Sequence, residues 1–246
     1  MPGSDPPVLP AAVAPLVAHH VAGDPTPAVV LAAYPRGLYL GLPGHADVLA
    51  VLTSDALALP IALRLGRPAA EICWGVEQGA VVTVGRGGVA LPALVVRAVR
   101  GWSPARVAPG STLPASPDVD ARVLVRGLVG RGPGLTPSGD DTLAGLLLTA
   151  RALGGWPELA AEAEAALTRT TSLSAALLRA AIDGYAVPAV VTYVAAAVVG
   201  DAPACARLRP EVLAFGHSSG AALLEGIGQA LALFDAPRSS DRGSQP

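Results

Sequence analysis

Gly130-Arg131-Gly132-Pro133-Gly134-Leu135-Thr136-Pro137-Ser138-Gly139-Asp140-Asp141 leads directly into the apolar run Thr142 to Leu153. Glycine permits positive φ and proline pins φ near −65°, so the three glycines and two prolines ahead of Ser138 prescribe an unusual backbone path. Ser138 or Thr136 can supply an N-cap hydroxyl. Asp140 and Asp141 then fall in the first turn of the next helix, where carboxylates suit the helix dipole. Leu143, Leu146, Leu147 and Ala150 recur at helical spacing and give that helix a buried face. The expected product is a rigid loop that presents backbone N–H groups, hydroxyls and two carboxylates at one point. A plain cap needs only the Ser-Gly-Asp-Asp; the Gly-Pro-Gly and Thr-Pro before it go beyond that.

Outward from this loop the chain reads as helical. Asp118 to Leu128 precedes it, with Val119, Val123, Leu124 and Leu128 on one face. After Gly154-Gly155 come Pro157 to Arg169, with proline favourable at the first helical position, and Thr171 to Ile182. Val187 to Val199, Pro203 to Ala214 and Ser218 to Phe234 complete the series. An internal repeat runs through it: Ser138-Gly139-Asp140-Asp141-Thr142-Leu143-Ala144-Gly145 aligns with Ser219-Gly220-Ala221-Ala222-Leu223-Leu224-Glu225-Gly226. Gly145 and Gly226, two turns into their helices, would allow a close approach. The two helix starts are expected side by side around one site, with carboxylates on only one of them.

The preceding half has a different texture. From Ala28 onward short apolar runs are broken by Gly and Pro: Val29–Ala33, Gly37–Leu42, Val48–Thr53, Leu59–Leu65, Ala80–Val84, Val89–Leu91 and Leu94–Val99. Their β-branched content and spacing suggest a barrel or sandwich, and Arg86-Gly87-Gly88 reads as a hairpin turn. The expected architecture is therefore α+β, a mostly antiparallel β region followed by an all-α region. The divisions are a leader over 1–27, with a short helix within Leu9 to Val21, a β domain over 28–103, a Pro/Ser-rich linker over 104–117, a helical domain over 118–235 and a disordered tail over 236–246.

Composition narrows the function classes. Hydrophobic residues make up 52% of the 246 and charged ones 15%, which argues for a packed core. All 17 basic residues are Arg, so lysine Schiff-base chemistry and a Walker-type phosphate loop are excluded. A net charge of −2 gives no case for nucleic acid or an anionic membrane. Cys73 and Cys205 lack metal spacing and suit small core positions. The leader has neither a basic nor an apolar signal region, and Val187 to Val199 is too short to span a bilayer of ~20 residues, so a cytoplasmic location is expected.

The remaining chemistry clusters at two loops. Gly216-His217-Ser218-Ser219-Gly220 fits G-x-S-x-G after a stretch, Val212 to Phe215, that can pass as a strand. A serine triad of that type needs a later histidine, and none follows His217. The better reading is a second helix start, with Ser218 or Ser219 as cap, Gly220 in the first turn and His217 as donor or proton carrier. Asp140 and Asp141 have three open readings: capping, holding Mg²⁺ with substrate oxygens, or general-base work. Adjacent helical residues point about 100° apart, so one is expected to face the site and the other to cap or pair. Arg131 and Arg126 are the nearest arginines for an anion. Thr170-Thr171-Ser172-Leu173-Ser174 reads as a capped helix start or as part of the same pocket.

Gly132 to Asp141, Thr171 to Ser174 and Gly216 to Gly220, in that order, resemble the AllH-type family, long catalogued as a domain of unknown function and encoded beside FdrA-like proteins. Strand-like Val81 to Leu91 followed by Trp102-Ser103-Pro104 extends the likeness. The resemblance implies a subunit of an oxamate carbamoyltransferase, in allantoin and purine breakdown, working with FdrA-like partner subunits. The implied ligand is a small anionic metabolite: oxamate, an oxaluric-acid-like ureide or carbamoyl phosphate. It would be held by Gly134, Thr136, Ser138, Gly139, Ser218, Ser219, Gly220 and Arg131, with Asp140, Asp141 and His217 as acid–base groups. A non-catalytic anion-binding or scaffold subunit is the alternative. The chain departs from the family pattern at Ala221 and Ala222, where an acid is expected after Gly-His-Ser-Ser-Gly, and it lacks the Ser-x-Arg-Thr-Arg clamp of ordinary carbamoyltransferases.

Overall fold

A computed structural model of the chain describes residues 6–111 and 117–235. The tail expected over 236–246 and the middle of the expected linker lie outside the described residues. Two compact units divide at Pro104 and Ala105.

The first unit is a closed β-barrel of β1 (Val8–Val13), β2 (Thr26–Tyr34), β3 (Gly37–Gly41), β4 (Val48–Leu52), β5 (Ala62–Leu65), β6 (Val81–Gly85), β7 (Gly88–Ala90) and β8 (Val95–Gly101). Around the barrel the order is β1-β5-β4-β3-β2-β6-β7-β8. β1 runs parallel to β8, and β4 to β5. The other neighbours are antiparallel. Side chains alternate across each pleat, so Ala28, Val30 and Ala32 of β2 fill the interior while Val29 faces outward. The β6–β7 hairpin turns through Arg86 (φ 49°) and Gly87 (φ 83°), a pair of left-handed residues whose twist matches that of the strands.

The short helix expected within Leu9 to Val21 is found only in the second part of that stretch, and β1 takes the first. Only a 3-10 turn (Pro15–Val17) and a single helical turn, α1 (Ala18–Ala22), follow it. Pro10 and Pro15 break an amide ladder of either kind, and pairing with β5 and β8 decides in favour of strand. Residues 8–13 thus belong to the barrel rather than to a leader. In the expected strand Leu59–Leu65, only Ala62–Leu65 pairs.

The second unit is helical: α2 (Ala121–Leu128), α3 (Ser138–Ala152), α4 (Pro157–Ala165), α5 (Ser172–Ile182), α6 (Pro188–Val198), α7 (Ala202–Leu213) and α8 (Ser219–Asp235), with a 3-10 turn at Leu167–Arg169. The described start of the expected linker is bound to it. Val107 donates to the Gly184 carbonyl, Gly110 donates to that of Arg151, and Arg151 Nε donates to that of Val107. The face expected for α2 is also corrected. Val119 and Val123 are exposed, whereas Ala121 and Val125, one turn apart, are buried, because α2 turns that face to α4 and α3.

α3 and α8 form the axis of this unit. A Cβ on Gly145 would lie 2.3 Å from the Leu223 carbonyl oxygen, and one on Gly226 would lie 1.9 Å from that of Thr142. The repeat offset turns the first contact into the second, so the crossing has a local two-fold relation. A comparable close contact forms at each helix start. A Cβ on Gly139 would be 2.1 Å from the Leu128 oxygen at the end of α2, and one on Gly220 would be 2.0 Å from the Val212 oxygen at the end of α7. Each half of the repeat is a helix, a tight turn and a Ser-Gly helix folded back against it.

A methyl group at the crossing has no room, since the obstructing atoms are backbone. Gly226→Ala is therefore expected to destabilise the protein by about 2–3 kcal/mol in urea unfolding. Gly228, on the same helix with nothing within 4 Å of where its methyl group would sit, serves as control. Gly228→Ala should stabilise by about 0.5–1 kcal/mol through helix propensity alone.

Candidate functional site

The Gly-rich loop gets its path from Gly130 (φ 71°), Gly132 (φ 113°) and Gly134 (φ 91°). Gly130 and Gly132 are also pressed closely: a Cβ would lie 2.5 Å from the Arg169 oxygen at the first and 2.8 Å from Ser138 Oγ at the second. Gly134 faces open space. The expected cap is corrected here. Pro137 is the N-cap of α3 and makes no side-chain cap bond, so Ser138 is already the first helical residue. The first-turn amides are occupied within the loop: Gly139 N donates to Arg131 O (2.8 Å), and Asp140 N and Asp141 N donate to Pro137 O. At α8 the pattern recurs, Gly220 N donating to Phe215 O (3.1 Å). Gly139 and Gly220 thus serve close packing, and their N–H groups are not open to a ligand.

The two aspartates separate cleanly. Asp140 is 2% exposed and accepts from Gly130 N (2.8 Å), Ser174 Oγ (2.7 Å) and Thr170 Oγ1. It ties the loop to the start of α5. Thr171 adds a second tie, capping α5 through Ser174 N (3.1 Å) while donating to Leu135 O. The Thr170 to Ser174 segment is accordingly structural, with hydroxyls that hold the motif loop in place.

Asp141 turns toward α8. Its carboxyl meets the Ser219 hydroxyl, and Ser219 Oγ lies 3.4 Å from Thr136 Oγ1. The two Ser-Gly helix starts therefore do come together. Burial pushes the Asp141 carboxyl up to about 6; the Ser219 hydrogen bond opposes this, and the neighbouring Asp140 adds to it. Oδ2 of Asp141 is buried and has no hydrogen-bond partner among the described residues. A carboxyl oxygen in that state calls for a proton or a ligand.

The other expected residues stand further out. Arg131, Gly134, His217 and Ser218 are exposed. No hydrogen bond or ion pair among the described residues joins His217 to Asp140 or Asp141. Val212 and Leu213 end α7 instead of forming a strand, so G-x-S-x-G here is a helix–turn–helix and not a nucleophile elbow. Among the described residues no group of three or more His, Cys, Asp or Glu side chains could hold a metal. A magnesium ion would have Asp141 and substrate oxygens alone. No helix among the described residues is long and apolar enough to cross a membrane.

Two substitutions separate the carboxylates. Asp140→Ala leaves three donors without their acceptor and should cost about 3 kcal/mol in urea unfolding at pH 7. Asp141 behaves oppositely. Its folded value lies above the ordinary 3.8, so its stabilising contribution is full below that pH and is lost as pH rises through about 6. With a discount for its half-buried position, Asp141→Asn should stabilise the protein by about 1–2 kcal/mol at pH 7.5 and by almost nothing at pH 3.5. An equal effect at both pH values would contradict the raised carboxyl.

No solved structure matches the chain. Among protein families, the model described as oxamate carbamoyltransferase subunit AllH matches residues 128–231, from the end of α2 through most of α8. Both Ser-Gly helix starts, their crossing and both aspartates lie inside that span, over which the helical unit is similar to the AllH family.

Proposed function

We propose that this chain is a subunit of a carbamoyltransferase assembly, acting with FdrA-like partner subunits on a small anionic metabolite of the oxamate or ureide type. The family of residues 128–231 supports the assignment to such an assembly. The unpartnered Oδ2 of Asp141 carries the assignment of the site. The ligand's polar head is received by side chains, the hydroxyls of Thr136 and Ser138 beside Asp141, while the Ser219 hydroxyl is held by that carboxyl. Gly139 and Gly220 contribute by letting the backbones close around that point. His217, Ser218 and Arg131 stand at the exposed rim, where a partner subunit or the ligand's far end reaches them.

A carboxyl near 6 is mostly ionised at neutral pH yet gives up a proton readily once it has taken one, the condition for general-base work. In carbamoyl transfer the acceptor nitrogen attacks the carbamoyl carbon, loses a proton and displaces the leaving oxygen. Asp141 takes that proton, and the Ser219 hydroxyl holds the carboxylate toward the nitrogen. Asp140 acts only by positioning, through the loop.

The test is turnover of oxamate with carbamoyl phosphate by the chain alone and mixed with its FdrA-like partners. Partner-dependent turnover with an acid limb near pH 6 is expected, reduced by at least about 100-fold in Asp141→Asn. Oxamate binding without turnover in any mixture would instead make the chain a non-catalytic binding or scaffold subunit.

A further inference from the structure

We infer that the helical unit has a second, basic site, separate from Asp141, that binds a phosphate group in the hollow between α2, α4 and the 3-10 turn Leu167–Arg169. The hollow encloses about 310 Å³, and its rim carries Arg122, Arg126 and Arg169. That volume falls at the lower end of the range for small-molecule sites, ~300–1,000 Å³. Its floor is Val125 and Ala166, which are 1% and 6% exposed. Small side chains at the end of α4, Ala165 and Ala166, leave the space open.

Charge decides the ligand class. The protein as a whole carries −2, yet here three guanidinium groups face a single carboxylate, Glu162. Glu162 is committed to Arg122, Oε1 to Nε at 3.2 Å. Arg126 and Arg169 make no ion pair among the described residues. Two net positive charges remain, on planar forks whose N–H spacing matches phosphate oxygens two at a time. A phosphate monoester, mostly dianionic at neutral pH, or free phosphate at slightly alkaline pH matches that charge. A monocarboxylate leaves half of it unmatched.

Titration calorimetry of the full chain with inorganic phosphate, at pH 7.5 and fixed ionic strength, tests the site. Saturable binding at one site per chain is expected, weakened at least tenfold in the Arg126→Gln, Arg169→Gln double variant and unchanged in Asp141→Asn. Both arginines are exposed, so the double variant should keep the parent's circular dichroism. Should it not, Arg126→Lys with Arg169→Lys preserves charge and is expected to weaken phosphate binding about threefold by losing the forks. Absence of saturable binding to the parent chain, or equal binding by the arginine variants, overturns the site. Binding lost in Asp141→Asn but kept in the arginine variants would place the phosphate at the carboxyl centre instead. Since the two sites share no residue, this test and the turnover test can fail independently.

Discussion

Contact between the backbones of α3 and α8 at Gly145 and Gly226 is the constraint on which the helical unit depends. Two helices with side chains at that point would stay about 8–10 Å apart. Here the Thr142 and Leu223 carbonyls occupy the space where methyl groups would be. Because each glycine lies two turns into its helix, closing the crossing also draws the two helix starts together. Ser219 reaches Asp141 and Thr136 for that reason. The burial that raises the Asp141 carboxyl has the same origin. A sequence feature that concerns only the size of two side chains therefore sets the acidity of a third.

The repeat is symmetric in backbone and asymmetric in chemistry. Asp140 and Asp141 align with Ala221 and Ala222. Ala222 is buried at 7% exposure. A carboxylate there would meet the same crossing from the opposite side, and two like charges in one desolvated space would oppose ionisation of both. With alanine on one arm, the single carboxyl of the other faces a hydroxyl. The departure from the expected family pattern thus suits the one-sided site seen here. Within the acidic arm the labour is divided again. Asp140 commits its acceptor capacity to Gly130, Thr170 and Ser174, which leaves Asp141 as the carboxyl with an unmet oxygen.

The legible parts of this chain are those written in local terms. Proline and glycine punctuation, together with 3.6-residue spacing, placed the helices close to where they lie, and Gly145 with Gly226 announced the crossing. Most strands were legible for a similar reason, as short β-branched runs between turn residues. β1 was not, because Pro10 suits neither ladder and its strand character comes from β5 and β8, far away in sequence. The cap of α3 misled for a different reason: Pro137 takes the N-cap position, and Ser138 is drawn into the helix. Nor could the fate of the first-turn amides be read. Whether Gly139 N points at a ligand or at Arg131 O depends on how the loop turns back, and the string of glycines permits both. His217 has the right residue type for proton transfer, yet it is exposed on the α7–α8 turn, with no hydrogen bond to either aspartate among the described residues.

The acidic and basic centres of this unit are joined by a short piece of backbone. The Arg169 carbonyl sits where a Gly130 side chain would be, and the next residue, Thr170, donates to Asp140. The 3-10 turn that ends in Arg169 therefore borders the hollow and has its main chain against the motif loop. Any bulk at residue 130 would push the turn away and loosen both the loop and the rim of the hollow. Glycine at 130 is required twice over, for its left-handed φ and for this contact. The first glycine of the motif thus faces away from the Asp141 centre. It is needed so that Asp140 can be held from both sides, with Asp141 fixed beside it as a consequence.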